Sequence, residues 1–335
     1  MRSTRRWSPS TVSCSAGSDV ILVLSTPGDE HAQVVLAELE RRGAATTLLD
    51  LAEFPQRLAV GLSYECGERE FRFGCDERGL DLDDCGAVWW RRPQHPTISS
   101  DISKPSHRQF AFNECAEALQ GLWHAVDAFW MNDPARDHVA QRKAYQLRVA
   151  QEVGLDIPRT LISNCPQEVR RFVDRVGADR VIYKSFSATE TEWRETRLLR
   201  EDALAVLEHV RYAPVIFQEY VEADVDLRVT VVGDEIFPAA IYSQETSYAV
   251  DFRMDIAHAR IEATSLPEAV DAGLRALMRR LGLVYGAIDV RRTPDGRHVF
   301  LEINPAGQFL FVEYFSGQPI AATLARVLHE ADQRA

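Results

Sequence analysis

Residues 284–308, VYGAIDVRRTPDGRHVFLEINPAGQ, contain the pattern on which the fold prediction depends. Two mostly apolar runs flank Asp295-Gly296, a dipeptide typical of the two-residue turn of a β-hairpin. If this turn joins the two strands, antiparallel pairing places Asp289 opposite Glu302. Because side chains alternate between faces along a strand, Asn304 lies on the same face as Glu302. The stretch therefore predicts two carboxylates and one amide on a single patch of sheet.

This patch has the composition of a magnesium site. Like charges directly opposite each other destabilise a sheet unless something compensates them. A hard cation would do so, and Mg²⁺ is bound by such oxygens together with substrate phosphates. A solvated hairpin whose acids have no joint role explains the same pattern, and the hairpin alone does not separate the two interpretations.

The composition is typical of a soluble globular protein with more than one domain. The chain has 335 residues, of which 46% are hydrophobic and 26% charged, and at about 150 residues per domain this length predicts two or three domains. Fifty acidic against 38 basic residues give a net charge of −12, which disfavours nucleic acid as a partner. No apolar run approaches the roughly 20 residues needed to cross a membrane. Six cysteines without a Cys-x-x-Cys pair indicate reduced thiols and a cytoplasmic protein.

The order of helix and strand patterns predicts an α/β protein in three segments behind a tail. Residues 1–18 are basic and rich in serine, which indicates a disordered tail. Residues 19–130 open with strand, helix and strand patterns, which are typical of a βαβ unit in a parallel sheet. The same segment is expected to end in a long helix over 106–130.

The second and third segments begin at recognisable signals. Residues 131–212 start with Asn132-Asp133-Pro134, a strong helix start, and this helix is expected to continue to about Val153. Residues 213–335 contain two predicted hairpins, one of which turns at Gly233-Asp234, and a closing helix over 318–332.

Three basic residues lie within largely apolar or helical segments. Lys184 interrupts the strand pattern VIYKSF, Arg228 interrupts DLRVTVVG, and Lys143 lies within a helix. A cation in a cleft needs an anionic partner, and nucleotide phosphates would serve. The alternatives are an exposed helix residue for Lys143, an edge-strand lysine for Lys184 and a surface ion pair of Asp226 with Arg228.

The order of these features resembles the ATP-grasp superfamily over roughly residues 132–328. A helix lysine, a strand lysine, a QEYV segment, an Asp-x-Arg strand and an Asp…Glu-x-Asn hairpin follow one another at plausible intervals. A narrower resemblance is to the microviridin-type (graspetide) peptide maturases. It rests on VWWRRPQHP at 88–96, MNDPARDHVAQRKAYQLRVAQEVGLDIPRTLISN at 131–164, DLRVTVVGDEIFPAAIYSQ at 226–244, DFR at 251–253 and FLEINPAGQFLFVE at 300–313. Ala306, Phe309 and DFR depart from the family's usual Asn, Trp and DWR, which affects the peptide-facing side.

The resemblance implies an α/β (α+β) ATP-grasp fold that binds ATP and Mg²⁺. Residues 19–130 would form a pre-ATP-grasp domain, and residues 131–212 and 213–335 the two ATP-clamping subdomains. The implied phosphate contacts are Lys143, Lys184 and Arg228, of which Lys184 and Arg228 would be catalytic. Glu219, Tyr220 and Val221 would form the adenine hinge, with Glu219 and Val221 acting mainly through backbone groups. Asp226 would take the ribose-binding position, usually Glu in the family, and Asp289, Glu302 and Asn304 would bind Mg²⁺.

The resemblance also implies an activity and a partner. A side-chain carboxylate of a ribosomal precursor peptide, with leader and core, would become an acyl phosphate, and a Ser, Thr or Lys side chain of the same peptide would displace phosphate. A ligase that joins an amino acid or short peptide to a separate acceptor would share the ATP site. A non-catalytic ATP- or peptide-binding regulator is disfavoured because all three implied metal ligands are present.

The sequence gives less information about which residues contact the peptide. Arg91 and Arg92 would bind peptide carboxylates or nucleotide, or would seal a domain interface. Asp251 and Arg253 would contact the core peptide or form a local ion pair. Residues 187–197, SATETEWRETR, are a candidate lid or an ordinary surface loop. The sequence leaves the oligomeric state open, a homodimer included, and predicts neither a nucleic-acid nor a membrane partner.

Overall fold

The structure is a computed structural model that describes residues 20–74, 79–186, 196–245 and 259–334. The chain divides into two compact units, Met1–Arg136 with Pro319–Ala335, and Asp137–Gln318. Within the described ranges, no helix combines the length and the apolar character that a membrane crossing requires.

Sixteen strands and nine α-helices lie in the described ranges. The strands are β1 (Val20–Leu24), β2 (Ala45–Leu49), β3 (Val60–Glu65), β4 (Glu68–Phe73), β5 (Leu80–Asp81), β6 (Ala87–Trp90), β7 (Phe129–Met131), β8 (Thr160–Ser163), β9 (Val181–Lys184), β10 (Arg197–Leu198), β11 (Val215–Glu219), β12 (Val225–Val232), β13 (Glu235–Ile241), β14 (Ile261–Ala263), β15 (Tyr285–Arg292) and β16 (His298–Asn304). The helices are α1 (Glu30–Arg41), α2 (Pro105–Ala125), α3 (Pro134–Ala140), α4 (Lys143–Glu152), α5 (Pro166–Val176), α6 (Glu201–Ala205), α7 (Glu268–Leu281), α8 (Leu310–Ser316) and α9 (Ile320–Asp332).

The first unit is built on a parallel sheet in the order β2-β1-β6-β7. Its central strand β1 is buried along its whole length, as a strand covered on both faces must be. Helix α1 begins at the N-cap Asp29, whose carboxylate accepts a hydrogen bond from the backbone N–H of His31. The predicted βαβ unit and parallel sheet are therefore confirmed. Strands β3, β4 and β5 form a separate antiparallel sheet.

Two elements of the first unit differ from expectation. The helix expected over 106–130 ends at Ala125, and Phe129–Met131 forms strand β7, which pairs in parallel with β6. The helix expected over 318–332 is α9, and it packs in the first unit against α1 and β6 rather than with residues 213–318. Its periodicity indicates an apolar face but does not specify which unit covers that face.

The second unit contains two antiparallel sheets. The order is β10-β9-β11-β8 in the first and β14-β13-β12-β15-β16 in the second. Alternate residues of β12, including Val225, Leu227 and Val229, are buried in one core with residues of α4 and α7. Alternation therefore places Asp226 and Arg228 on the opposite face of the sheet. The predicted turn at Gly233-Asp234 is confirmed, because Val232 pairs with Glu235.

The prediction of a single helix from Pro134 to Val153 is wrong, because the helical conformation is interrupted between α3 and α4. The side chain of Gln146 explains how the break is stabilised. Its Nε2 donates to the carbonyls of Ala140, at 2.6 Å, and Ile303, at 2.8 Å, and its Oε1 accepts from the Ile303 N–H at 3.2 Å. This buried amide thus ties the end of α3 to β16 and leaves Lys143 at the first position of α4.

The hairpin of β15 and β16 places Asp289 opposite Glu302, as predicted, although its turn differs. Near the tip, Arg292 pairs with His298, and the Thr293 N–H donates to the Arg297 carbonyl, so the expected two-residue turn is wrong. A bulge then shifts the register between Asp289 and Val290. The longer loop shifts the pairing of the two strands by one residue, and the extra residue in the bulge shifts it back. Asp289 and Glu302 therefore lie opposite each other, as predicted.

Candidate functional site

The acidic pair and a buried arginine occupy neighbouring strands on one face of the five-stranded sheet. Arg228 on β12 lies directly opposite Asp289 on β15, and Asp289 lies opposite Glu302 on β16. Asp289 is only 8% exposed. A solvated hairpin with incidental acids would leave these side chains in water, so that interpretation does not fit the structure.

Arg228 is held by two acceptors and an aromatic ring. Its Nη1 donates to Asp289 Oδ1 at 2.7 Å, and its Nη2 donates to the Gln308 carbonyl at 3.1 Å. Its Cζ lies 5.8 Å from the centroid of the Phe311 ring. Its Nε is buried and, like Thr230 Oγ1 on the same face of β12, has no hydrogen-bond partner in the described part of the chain. A buried guanidinium donor without a protein acceptor is suited to an anion.

Lys143 provides the second cation of the cluster. Its Nζ lies 2.7 Å from Glu302 Oε2, and the two side chains are 25% and 20% exposed. Lys143 is therefore not the isolated surface residue that the alternative interpretation requires. Asp289 and Glu302 each have a basic partner, which explains how two opposed carboxylates are tolerated on this sheet.

Lys184 lies on the other sheet of the same unit. Strand β9 has neighbours on both sides, so Lys184 is not an edge-strand residue. Its Nζ lies 3.2 Å from Gln218 Oε1, and Gln218 Nε2 donates to Thr160 Oγ1 at 2.9 Å. Thr160 thereby orients the buried Gln218 amide so that its oxygen faces the lysine.

The predicted adenine hinge is anchored through the Glu219 side chain. Glu219 accepts two hydrogen bonds from Arg159, at 2.8 and 2.9 Å, and one from Arg180 at 3.2 Å. The hydrogen bond from Arg159 is the main reason that the pKa of Glu219 lies below its ordinary value. The Glu219 carboxylate is thus occupied by two arginines, and the Glu219 side chain has little left to offer a ligand. A cleft of about 410 Å³ adjoins the hinge and is lined by Glu219, Val221 and Thr293, among others.

Asp226 has a different environment from the one expected of a ribose-binding acid. It is 2% exposed, and its carboxylate accepts hydrogen bonds from Arg291 Nε, at 2.8 Å, and from the Ser243 hydroxyl. The interpretation of Asp226 and Arg228 as a surface ion pair is wrong, because Asp226 pairs with Arg291 and Arg228 pairs with Asp289. Arg291 was not among the predicted site residues, although alternation from Asp289 along the apolar strand β15 indicates that it faces the cluster.

The predicted metal ligands supply oxygen donors only. Asp289 and Glu302 offer carboxylate oxygens, and Asn304 offers an amide oxygen that accepts from the Ala306 N–H at 3.0 Å. No cluster of three or more His, Cys, Asp or Glu side chains suited to a metal occurs in the described ranges. Oxygen donors on adjacent strands suit Mg²⁺ rather than a thiophilic or imidazole-preferring metal.

The remaining predicted residues lie elsewhere. Arg91 belongs to the first unit, is 1% exposed and donates through Nε to Asp29 Oδ2 at 3.0 Å. The neighbouring Arg92 is exposed, and its N–H donates to the Leu24 carbonyl at 3.0 Å. The peptide-binding roles of Arg91 and Arg92 stay predictions. Asp251, Arg253 and residues 187–195 of the candidate lid lie outside the described residues.

The two antiparallel sheets of the second unit, with the acid–base cluster on one and the strand lysine on the other, define an ATP-grasp protein. Family comparison agrees with this class. The chain belongs to the RimK-like ATP-grasp family, whose domain model matches residues 140–328. The MvdD pre-ATP grasp domain matches residues 20–138. The chain is thus an ATP-grasp ligase, and the predicted family and fold are confirmed.

Three known proteins show how far the likeness extends. The macrocyclase MdnC from Microcystis aeruginosa, solved bound with precursor peptide MdnA, is 31% identical, with a TM-score of 0.83 over 93% of this chain and 99% of that chain. The ATP-grasp ligase PsnB, solved with minimal precursor, Mg and ADP, is 26% identical, with a TM-score of 0.78 over 96% of this chain and 100% of that chain. The ribosomal protein bS6–L-glutamate ligase of Salmonella paratyphi B is 27% identical over 206 residues, 59% of this chain and 67% of the relative.

Proposed function

We propose that this ligase closes rings in a ribosomally made precursor peptide by joining side-chain carboxylates to Ser, Thr or Lys side chains. The observation that carries the proposal is the extent of the likeness to MdnC, which covers 93% of this chain. The likeness to the bS6–L-glutamate ligase covers only 59%. The pre-ATP-grasp segment is therefore of the kind found with peptide maturases.

The residues of the second unit suit the first half of the reaction. Lys143, Lys184 and Arg228 would hold the phosphates, and Asp289, Glu302 and Asn304 would hold Mg²⁺, which offsets phosphate charge when bound. The buried Arg228 Nε, without an acceptor among the described residues, is suited to a phosphoryl oxygen. Phosphoryl transfer depends mostly on positioning and electrostatics, so no nucleophile from the protein is required.

The bond changes balance without a further reagent. A carboxylate oxygen of the peptide attacks the γ-phosphorus of ATP, and ADP leaves. The resulting acyl phosphate is attacked by a hydroxyl or amine of the same peptide, phosphate leaves, and the nucleophile loses its proton. Each ring thus costs one ATP, and the peptide loses one water. The chain must keep water from the acyl phosphate, because hydrolysis would return the starting peptide.

Mass spectrometry tests this function. A peptide encoded beside the gene, rich in Ser or Thr and in Asp or Glu, is incubated with the protein and Mg-ATP. The proposal expects the loss of one water mass for each ring. An unchanged peptide, with ATP consumed only when amino acids are added, would instead identify the second candidate, a ligase for a separate acceptor, which the bS6–L-glutamate ligase likeness favours.

Assembly and location are separate from the chemistry. A cytoplasmic location stays a prediction from the sequence, and a homodimer is one of the assemblies that the sequence leaves open. Size-exclusion chromatography with light scattering measures the assembly directly, and a mass close to that of one 37.8 kDa chain would exclude a homodimer.

A further inference from the structure

A buried arginine links the two strands of the site to the hinge. Arg291 on β15 is 5% exposed. Its Nε donates to Asp226 Oδ1 at 2.8 Å, and its Nη1 donates to the Val221 carbonyl at 2.9 Å. Its Cζ lies 5.3 Å from the centroid of the Tyr220 ring. One planar guanidinium therefore contacts two residues of the hinge and the acid that follows it.

The Asp226 carboxylate has little left to offer a ligand. One oxygen accepts from Arg291, and the other accepts from the buried Ser243 hydroxyl. The side chain of Asp226 is 3% exposed and that of Arg291 is 6% exposed. A ribose hydroxyl would have to displace the Ser243 hydroxyl from a carboxylate that is already shielded from solvent. Losing such a buried charge-assisted hydrogen bond is unfavourable.

The hinge itself is fixed at successive residues. The Glu219 N–H donates to the Arg159 carbonyl at 2.8 Å, and the Tyr220 N–H donates to the Arg180 carbonyl at 2.7 Å. Arg291 adds the third restraint at the Val221 carbonyl. Arg159 and Arg180, which supply the first two restraints, directly precede strands β8 and β9 of the four-stranded sheet. Arg291, in contrast, lies on β15 of the five-stranded sheet. It thus ties the hinge to the sheet that carries the acid–base cluster.

We propose that Asp226 and Arg291 are positioning residues that hold the hinge backbone against the nucleotide base, and that Asp226 does not bind the ribose. This inference rests on the proposed binding of ATP. Asp226 acts through Arg291, and Arg291 acts through the Val221 carbonyl. The pair determines how tightly the base is held and how well adenine is distinguished from other purines.

Calorimetric binding of three nucleotides separates this role from ribose binding. ATP, 2′-deoxy-ATP and inosine triphosphate are titrated into the full chain and into Asp226→Asn and Arg291→Lys variants. Lysine keeps the charge beside Asp226 but lacks the fork that reaches Val221 as well. Each variant is expected to lose about tenfold in affinity for ATP and the same factor for 2′-deoxy-ATP. The preference for ATP over inosine triphosphate is expected to fall in both.

A neighbouring ion pair supplies matched controls. Asp224 and Arg292 lie at the same strand ends, with Nη2 of Arg292 2.7 Å from Asp224 Oδ2, but their side chains are 52% and 36% exposed. Asp224→Asn and Arg292→Lys make the same chemical changes at the surface. They are expected to leave all three affinities unchanged, because an exposed pair contributes little.

Specific outcomes would overturn the inference. If Asp226→Asn weakens ATP but not 2′-deoxy-ATP, so that the preference for the 2′-hydroxyl disappears, Asp226 binds the ribose. Wild-type affinities in a folded Arg291→Lys variant would equally contradict it, and thermal melting reports whether each variant is folded. If Asp226→Asn does not fold, the same titrations are made with Arg291→Lys and with Ser243→Ala, which removes the hydroxyl that donates to Asp226. A wild-type chain that binds none of the three nucleotides would refute the proposed function itself, a result distinct from either of the others.

Discussion

Arg228 and Asp289 face each other across β12 and β15, and Arg228 Nη1 donates to Asp289 Oδ1 at 2.7 Å. The predicted phosphate-binding cation and the predicted metal-binding carboxylate are thus partners in a buried ion pair. Lys143 and Glu302 form a second ion pair, in which Lys143 Nζ lies 2.7 Å from Glu302 Oε2. Internal pairing holds both carboxylates in place on the face of the sheet that nucleotide and metal would use.

Replacing Arg228 by Lys is expected to reduce turnover by roughly 10²–10³-fold, the range for removing a well-placed electrostatic donor. Lysine keeps the charge but cannot contact Asp289 and the Gln308 carbonyl at once. Steady-state kinetics with varied ATP checks this, and Arg292→Lys is the matched exposed control. An Arg228→Lys variant with unchanged kcat would exclude a role at the transferring phosphoryl group.

Glu302→Gln is expected to abolish nucleotide-dependent activity and to weaken the response to added Mg²⁺. The substitution is nearly isosteric, so the loss would come from charge rather than shape. In chemical denaturation, Lys143→Met is expected to change the free energy of unfolding less when combined with Glu302→Gln than it does alone, because the two residues are partners. Activity of wild-type and variants across a magnesium titration, with EDTA as the zero point, provides the measurement. Additive effects of the two substitutions on the free energy of unfolding would contradict the pairing.

Gly307 allows the loop after β16 to approach the sheet closely. A Cβ at this position would lie 2.3 Å from Ala287 Cβ and 3.3 Å from Arg228 Nη2. Gly307→Ala is therefore expected to displace the loop, with a loss of about 1–3 kcal/mol in stability and a fall in activity. The double variant with Ala287→Gly removes the clash and should recover both. Chemical denaturation and kinetics of the three variants measure this, and no recovery in the double variant would show that the clash is not the cause.

A hydrogen bond from Tyr285 holds the same loop. Its buried hydroxyl donates to the Gly307 carbonyl at 2.8 Å. Tyr285→Phe deletes only that donor and is expected to lower stability by about 1 kcal/mol. Because the Arg228 Nη2 acceptor is the adjacent Gln308 carbonyl, kcat should fall while the KM for ATP changes little. A variant that loses stability with no change in kcat would restrict Tyr285 to a structural role.

The buried Asp29–Arg91 pair predicts a pH dependence of stability in the first unit. Burial acts to raise the pKa of Asp29, but the Arg91 charge and the Ser25 hydroxyl outweigh it and hold the pKa below the ordinary 3.8. The stabilisation is therefore present above about pH 4 and is lost as pH falls through the lowered folded-state pKa. Asp29→Asn is expected to destabilise the protein by roughly 3–5 kcal/mol at neutral pH, with the difference shrinking in acid.

Thermal melting of wild-type and Asp29→Asn between pH 7 and pH 3 makes the comparison. Glu53→Gln, which alters an exposed ion pair of the same unit with Arg57, is the control. A constant difference in melting temperature across this range would show that the Asp29 carboxylate does not titrate with folding.

Much of the site could be predicted because strand alternation fixes faces. The opposition of Asp289 and Glu302 follows from hairpin pairing, and it survives the wrong turn because the longer loop and the bulge compensate. Neither irregularity is visible in the sequence, since Leu301 is an ordinary strand residue. Alternation also places Arg291 beside Asp289, yet its partner Asp226 becomes clear only when β12 and β15 are seen paired.

Tertiary contacts determine what the sequence could not. Residues 141–142 contain good helix formers, and the break there depends on the Gln146 amide, which reaches Ile303 far along the chain. The apolar face of α9 is plain in the sequence, but its packing against α1 depends on the whole first unit. Local propensity is overridden where such distant groups meet.

The proposed chemistry begins when the chain phosphorylates a peptide carboxylate. The most direct measurement uses precursor peptide with ¹⁸O in its Asp and Glu carboxylates, incubated with the chain and Mg-ATP. We expect one ¹⁸O atom in the released phosphate for each ring closed, and none with Glu302→Gln. Rings formed with release of unlabelled phosphate alone would contradict it, because the carboxylate oxygen would then not have been transferred to phosphorus.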